Sequence, residues 1–251
     1  MARPMGEAWC WHPPEAGEEL ARLLDLPRVA WLAEVPSTMD VADRLARDGA
    51  PGGTLVLADT QTSGRGRGGR AWASPAGGGI WMTLIERPLD ASGLGVLSLR
   101  VGMRAAAALD RFAGTRVALK WPNDLMLQEG KLGGILVEAR WREQRPEWVS
   151  IGIGLNLVQP PVAGGAALPA GARREEVLGD LLPALRGAAA ASGPLTAHEL
   201  ASYASRDWAY GRRVTSPQAG IVAGLSAAGM LLIETPDGIV ACRSGSLVLE
   251  G

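Results

Sequence analysis

The segment QTSGRGRGGRAW, residues 61–72, interleaves Gly64, Gly66, Gly68 and Gly69 with Arg65, Arg67 and Arg70. Glycines let the backbone reach conformations closed to other residues and come close to a ligand, while guanidinium groups are planar, permanently charged forks. The tract therefore reads as an anion-binding loop. Three like charges with no carboxylate between them repel one another, so the loop is expected to tighten around a phosphate or carboxylate. A solvated flexible loop and an RGG-type nucleic-acid segment are the other readings of this composition. A formal net charge of -1 and the lack of interleaved aromatic rings speak against the second. No Gly-Lys-Ser/Thr follows, as a P-loop requires, and no amphipathic helix opens after the last glycine, as in a Rossmann unit.

Outward from this loop the pattern mixes strands and helices. Residues 54–58 are a β-branched and apolar strand leading into it, and residues 28–35 form an earlier one. Between them, Ser37 to Asp40 resembles a capping box ahead of a helix carrying Val41, Ala42, Leu45 and Ala46, ended by Gly49 and Pro51. Beyond the loop, residues 79–85 read as a strand, 94–112 as a helix and 116–119 as a strand ending at Lys120. Pro122 interrupts pairing there, so Asn123 and Asp124 project from a turn. Residues 125–128 and 131–141 form a hairpin, with another strand over 148–156. Residues 159–171 are a loop, 174–191 and 196–210 are helices, and Thr196 with Glu199 makes a second capping box. From 212 to 249 short apolar runs broken by Pro217, Gly220, Gly229, Pro236, Gly238 and Gly245 predict a small β-barrel or sandwich. The expected class is α+β, a mixed sheet with packed helices.

At 251 residues and 26.2 kDa, with 47% hydrophobic and 20% charged residues, the chain has the composition of a globular protein with an ample core. Residues 1–27 show no signal-peptide pattern and no stretch approaches the roughly 20 apolar residues of a membrane span, so a cytoplasmic protein without membrane contact is expected. Cys10 and Cys242 belong to no metal or disulfide motif. Of 25 basic side chains only Lys120 and Lys131 are lysines. Where arginine fills general surface positions, a retained lysine marks a need for a compact ammonium. Lys131 and Asp124 lie at opposite ends of one hairpin arm, where both can face the arginine loop.

QTSGRGRGGRAW (61–72), LKWPNDL (119–125), KLGGILVE (131–138) and GIGLN (152–156) together resemble the biotin protein ligases, in order and in spacing. The resemblance runs from about Val29 to the C-terminus. It implies a catalytic domain over 28–208 of the class II aminoacyl-tRNA synthetase and biotin ligase type, an N-terminal arm over 1–27, and an SH3-like barrel over 209–251. The implied reaction condenses biotin with ATP to biotinyl-5'-adenylate and pyrophosphate, then transfers the biotinyl group to a lysine of the biotin carboxyl carrier domain of acetyl-CoA carboxylase or a related carboxylase. By resemblance Ser37, Thr38, Gln61, Gly64, Arg65, Gly66, Arg67, Lys131 and Gly133 serve biotin. Arg67, Arg70, Trp72, Lys120, Asn123, Asp124 and Asn156 serve ATP, with Lys131, Arg67 and Asp124 catalytic. Magnesium accompanies ATP, without a dedicated protein cage. Two departures stand out: Met39 where the family commonly has Asn, and Gly133 in place of a frequent Ala. Residues ahead of Arg28 leave no room for a helix-turn-helix, so the monofunctional type without a nucleic-acid partner is expected, and a homodimer stays open. The rival readings are a lipoate or octanoate ligase or transferase, whose transferase type needs a cysteine motif this chain lacks, and a non-catalytic biotin or nucleotide sensor.

Overall fold

The computed structural model describes residues 9–88 and 90–250. The part of the expected N-terminal arm ahead of residue 9 lies outside them. A short strand β1 (Cys10–Trp11) and helix α1 (Pro14–Leu23), which starts on a proline suited to that position, precede β2 (Arg28–Val35). Helix α2 (Thr38–Arg47) crosses over to β3 (Thr54–Gln61), parallel to β2. The chain passes through the arginine loop to β4 (Gly79–Glu86), then α3 (Leu97–Ala113). Strands β5 (Ala118–Lys120), β6 (Asp124–Leu127), β7 (Gly130–Arg142) and β8 (Arg145–Asn156) form an antiparallel meander. The eight-stranded sheet runs β1-β2-β3-β4-β8-β7-β6-β5.

Period-two alternation divides the core between the two faces of this sheet. Leu55 and Leu57 of β3 point into a large cluster with Ile80, Met82 and Leu84 of β4 and the apolar stripes of α3 and of α4 (Arg174–Ala189). Val56 and Ala58 point the other way, beneath Val41, Ala42 and Leu45 of α2. Trp9 and Trp11 pack against this second cluster, which tacks the N-terminal segment to the sheet.

Helix α5 (Ala197–Ala204) begins with the expected capping box at Thr196 and Glu199. It stops well short of residue 210, because the chain turns back to pair with β5: Leu119 N donates to Arg206 O (2.7 Å) and Trp208 N to Leu119 O (2.9 Å). Ahead of it, Arg100 is 1% exposed. Its guanidinium donates to Glu199 (2.7 Å) and to the carbonyls of Ser192, Gly193 and Pro194, which fixes the α4–α5 connection on α3. This pairing holds the Glu199 carboxyl down at about 2.

The C-terminal strands β9 (Arg213–Ser216), β10 (Gly220–Leu225), β11 (Leu231–Thr235), β12 (Gly238–Cys242) and β13 (Val248–Leu249) make a second, antiparallel sheet in the order β12-β11-β10-β9-β13. Its Val214, Val222, Leu231 and Ile233, with Leu247 just ahead of β13, are continuous with the large core. Trp121 Nε1 donates to Gly229 O (3.1 Å), which draws this sheet against the β5–β6 turn.

Candidate active site

A cleft of about 330 Å³ opens between the arginine loop, the β5–β6 turn and the start of β7. Its inner end is polar along one edge. Thr38, at the first turn of α2, donates to Gln61 Oε1 from its backbone N (2.8 Å) and Oγ1 (3.1 Å). Thr83 donates to Thr38 (2.9 Å) and Gln61 Nε2 to Ser74 (2.8 Å), so the Gln61 amide is held from both ends. Ser37 caps α2 by accepting from Met39 N (3.3 Å). Asp40 takes no part in a capping box and instead pairs with Arg65 (2.8 Å). Met39 is 4% exposed and faces Gly152, where a Cβ would stand 2.8 Å from the Met39 sulfur. With Met82, Leu136 and Ile153 it gives this end an apolar wall, so the slot suits a compact ligand with one polar edge.

The arginine loop is pinned at both ends rather than extended. Gln61 bridges to Ser74 and Arg65 to Ala71, and between them residues Arg67–Gly69 form a single 3-10 turn with Gly68 and Gly69 at φ 68° and 76°. Gly64 is a close approach: a Cβ there would lie 2.5 Å from Trp72 O. The expectation of uncompensated arginines is corrected by the partners. Arg65 reaches Asp40 and, at 4.0 Å, Glu138. Arg67 donates to Gly245 O (2.9 Å) and Arg70 to the Ser246 hydroxyl, both from the C-terminal sheet. Those two partners are neutral oxygens, which an incoming anion outcompetes.

Lys131 Nζ lies 2.7 Å from Asp124 Oδ1 and 5.1 Å from the centre of the Trp72 ring. Asn123 donates to Ile135 O (2.7 Å) and its own carbonyl accepts from Ile135 N (2.9 Å), which locks the turn carrying Asp124 to β7. The Trp72 indole lies on Gly134 and Gly154; a Cβ at Gly154 would stand 2.3 Å from its Nε1. That buried N–H has no hydrogen-bond partner in the protein. Lys120 stands 4.9 Å from the Trp208 ring centre. Burial lowers its pKa, and the neighbouring Lys131 and Arg70 lower it further against the pull of Asp124. Five cations (Arg65, Arg67, Arg70, Lys120, Lys131) and a single carboxylate, Asp124, line the cleft among the described residues. Such an excess of positive charge is an anion trap.

Of the residues expected at the site, Ser37, Thr38, Gln61, Arg65, Gly66, Arg67, Arg70, Trp72, Lys120, Asn123, Asp124 and Lys131 line this one cleft. Gly64, Gly133 and Asn156 do not. Gly133 faces Gly154 O, 2.9 Å from where its Cβ would be. Asn156 is 4% exposed and donates to the carbonyls of Lys131 (3.3 Å) and Ala166 (2.9 Å). Sequence reasoning missed the wall formed by Trp121, Gly134, Leu136 and Gly154, although those residues sit inside or beside the quoted motifs. It also missed Gly245, Ser246 and Leu247, for which the local sequence carries no chemical signal. No group of three or more His, Cys, Asp or Glu that could hold a metal occurs among the described residues.

The chain is 43% identical over 126 residues to the bifunctional ligase/repressor BirA of Bacillus subtilis, covering 50% of this chain and 39% of that protein. It is 40% identical over 139 residues to the biotin--[acetyl-CoA-carboxylase] ligase of Paracoccus denitrificans, covering 53% and 56%. The chain thus spans about half the length of the curated relatives it matches. Among solved structures, the biotin protein ligase from Aquifex aeolicus in complex with biotin and ATP superposes with a TM-score of 0.73 at 30% identity, over 88% of this chain and 98% of that one. The model of the Biotin/lipoate A/B protein ligase family matches residues 31–156, half of the chain and the stretch that carries most of the cleft. With the cation-lined cleft built on those same residues, the chain belongs to the Biotin/lipoate A/B protein ligase family.

Proposed function

We propose that the protein is an ATP-dependent biotin ligase that forms biotinyl-5'-adenylate and passes the biotinyl group to a lysine of a biotin carboxyl carrier protein or domain, that of acetyl-CoA carboxylase or a related carboxylase. The observation that carries this reading is Lys131: an ammonium anchored by Asp124 at the junction between a slot with one polar edge and a cluster of four further cations. The Aquifex relative, solved with biotin and ATP, supports it.

In this reading the biotin head group sits in the slot against Ser37, Thr38 and Gln61, with its carboxylate toward Lys131. ATP lies over Trp72 with its phosphates among Arg67, Arg70 and Lys120. A carboxylate oxygen attacks the α-phosphorus as the bond to the pyrophosphate oxygen breaks. Lys131 screens the repulsion between the two anions and then stabilises the charge that builds in the transition state. In the second half-reaction the carrier amine attacks the acyl carbon, AMP leaves, and the amine gives up a proton. Magnesium fits as a companion of the triphosphate rather than a resident of the protein, since the described residues offer no acidic cluster; Asp124 is the carboxylate within the cleft that could meet it, and the ion would neutralise phosphate charge.

The five-stranded C-terminal sheet is read as an SH3-like barrel over 209–251, following a catalytic domain over 28–208 and the arm over 1–27. A cytoplasmic protein without a nucleic-acid partner agrees with a formal net charge of -1. No helix among the described residues is long and apolar enough to cross a membrane. A homodimer belongs to the proposal as a state to be measured. Neither Cys10 nor Cys242 lines the cleft, which disfavours acyl transfer through cysteine. The test is pyrophosphate release by the purified protein with ATP and either biotin or lipoate: release with biotin alone supports the reading, and release with lipoate alone replaces it.

A further inference from the structure

Lys120 carries the second ammonium of the cleft and, unlike Lys131, has no carboxylate salt bridge among the described residues; Asp124, the carboxylate that lines the cleft, is taken by Lys131 at 2.7 Å. Its neighbour is a ring. Lys120 Nζ stands 4.9 Å from the centre of the Trp208 indole, and the Arg212 guanidinium stands 4.3 Å from the same ring. Arg212 is itself tied by two bonds to Glu129 (2.7 and 2.9 Å), on the turn that leads into β7. The segment bearing Trp208 is fastened along β5, the strand that ends on Lys120: the backbone bonds of Leu119 with Arg206 and Trp208 make a parallel bridge at Asp207. Arg206 adds bonds to Asp110 of α3 (2.7 and 2.9 Å) and to Val117 O (3.0 Å). The indole is therefore placed by the same strand as the ammonium it meets.

We propose that Trp208 is a positioning residue for Lys120, seating the ammonium against its indole face so that the charge stays directed at the anions of the cleft. The inference rests on the ligase reading, in which the anion is the triphosphate of ATP. An aromatic face attracts a cation through its quadrupole and carries no net charge, so it holds the ammonium without neutralising it. A carboxylate in the same place would compete with the phosphate for the lysine. Such a seat matters here because burial, with the neighbouring Lys131 and Arg70, disfavours the charged form of Lys120 against the pull of Asp124. Trp208 does not line the cleft, so its effect on the nucleotide runs through Lys120. Its buried Nε1 has no hydrogen-bond partner in the protein, so what the indole offers at this position is its face and bulk rather than its N–H.

The test is biotin-dependent pyrophosphate release by the full chain for wild type, Trp208→Leu, Trp208→Phe, Lys120→Gln and the Lys120→Gln/Trp208→Leu double variant, with melting curves for each. Loss of the seat predicts KM for ATP raised about 3- to 30-fold in Trp208→Leu, with turnover and KM for biotin held. Trp208→Phe keeps a ring face and is expected to recover most of that loss. In the Lys120→Gln background, Trp208→Leu is expected to cost nothing more. A second readout needs neither activity nor a folded leucine variant: the chain has only two lysines, so selective carbon-13 labelling of lysine leaves two ε-methylene signals, which Lys120→Gln assigns. In wild type the Lys120 signal is expected upfield of its position in free lysine, shifted by the ring current of Trp208, and it should return in folded Trp208→Leu. KM for ATP unchanged in folded Trp208→Leu, additive losses in the double variant, a phenylalanine no better than leucine, or a Lys120 signal at the free-lysine position would overturn the inference. A wild type without biotin-dependent release overturns the ligase reading instead, while the lysine spectrum still decides the seat.

Discussion

Replacing Lys131 by arginine keeps the charge and changes only its shape, which makes it a sharp probe of how the cleft works. The Lys131 ammonium sits 2.7 Å from Asp124 Oδ1 with the Trp72 ring centre 5.1 Å away, and its Cε is 3.6 Å from where a Cβ would stand on Gly134. A guanidinium in this space is longer and flat, and its fork matches the Asp124 carboxylate in a bidentate pair. It would lock onto that partner instead of standing between a substrate carboxylate and the α-phosphate. The loss is comparable to removing one oxyanion-hole donor, about 100-fold or ~2.7 kcal/mol in the adenylation step. Folding is expected to be unaffected, because the side chain is 38% exposed. The assay is biotin-dependent pyrophosphate release, with thermal melting as the folding control. Lys120→Arg is the comparison and is expected to raise KM for ATP while largely keeping turnover, because Lys120 has no carboxylate salt bridge among the described residues. Folded Lys131→Arg turning over near the wild-type rate would refute the point-donor role, and with it the argument from lysine scarcity.

Three further outcomes follow from the same geometry. Gly154→Ala drives a methyl into the Trp72 indole, and the expected result is KM for ATP raised on the order of tenfold, about 1.4 kcal/mol, in steady-state assays. Glu199 has its folded pKa depressed to about 2 from 4.5 by Arg100, so its contribution is full above pH 4.5 and fades as pH falls toward 2. Glu199→Gln should therefore lose about 3 kcal/mol in denaturant melts at pH 7 and differ progressively less from wild type on acidification. Asp207 runs the opposite way: burial raises its pKa to about 6 from 3.8, and its Oδ2 has no partner, so its charge costs stability as pH rises from about 4 to 6. Asp207→Asn is expected to add on the order of 2 kcal/mol of stability at pH 8, read as a raised melting temperature, and to change nothing at pH 4; a uniform shift at both pH values would rule this out.

The chemistry-bearing residues were legible wherever residue type and local spacing coincide. Glycines between arginines, a lysine in a lysine-poor chain and an aspartate after Pro122 each announce a role within a few residues, and the structure gathers them at one cleft. Strand β3 and helix α2 were equally readable because a β-branched apolar run and a helix cap are local signals. What stayed hidden depends on contacts made far along the chain. Gly245 and Ser246 meet Arg67 and Arg70 across the joint between the two sheets, and nothing in a Gly-Ser pair specifies that partner. Arg100 reads as an ordinary polar position of an apolar helix, yet it is among the most buried side chains, since its donors meet carbonyls from residues 191–194. Asp40 was misread as a cap because sequence spacing cannot show that Arg65 competes for it. The Asn156 amide also donates to the carbonyls of Lys131 and Ala166, contacts that its motif does not reveal.

The measurement that bears most directly on the central claim is a two-step assay on the purified chain. ATP labelled at the γ-phosphate is supplied with and without biotin, and a biotin carboxyl carrier domain is then added. The account predicts labelled pyrophosphate only when biotin is present, followed by a mass increase of one biotinyl group on a single carrier lysine. Pyrophosphate release indifferent to biotin, or a carrier left unmodified after adenylate has formed, would contradict it.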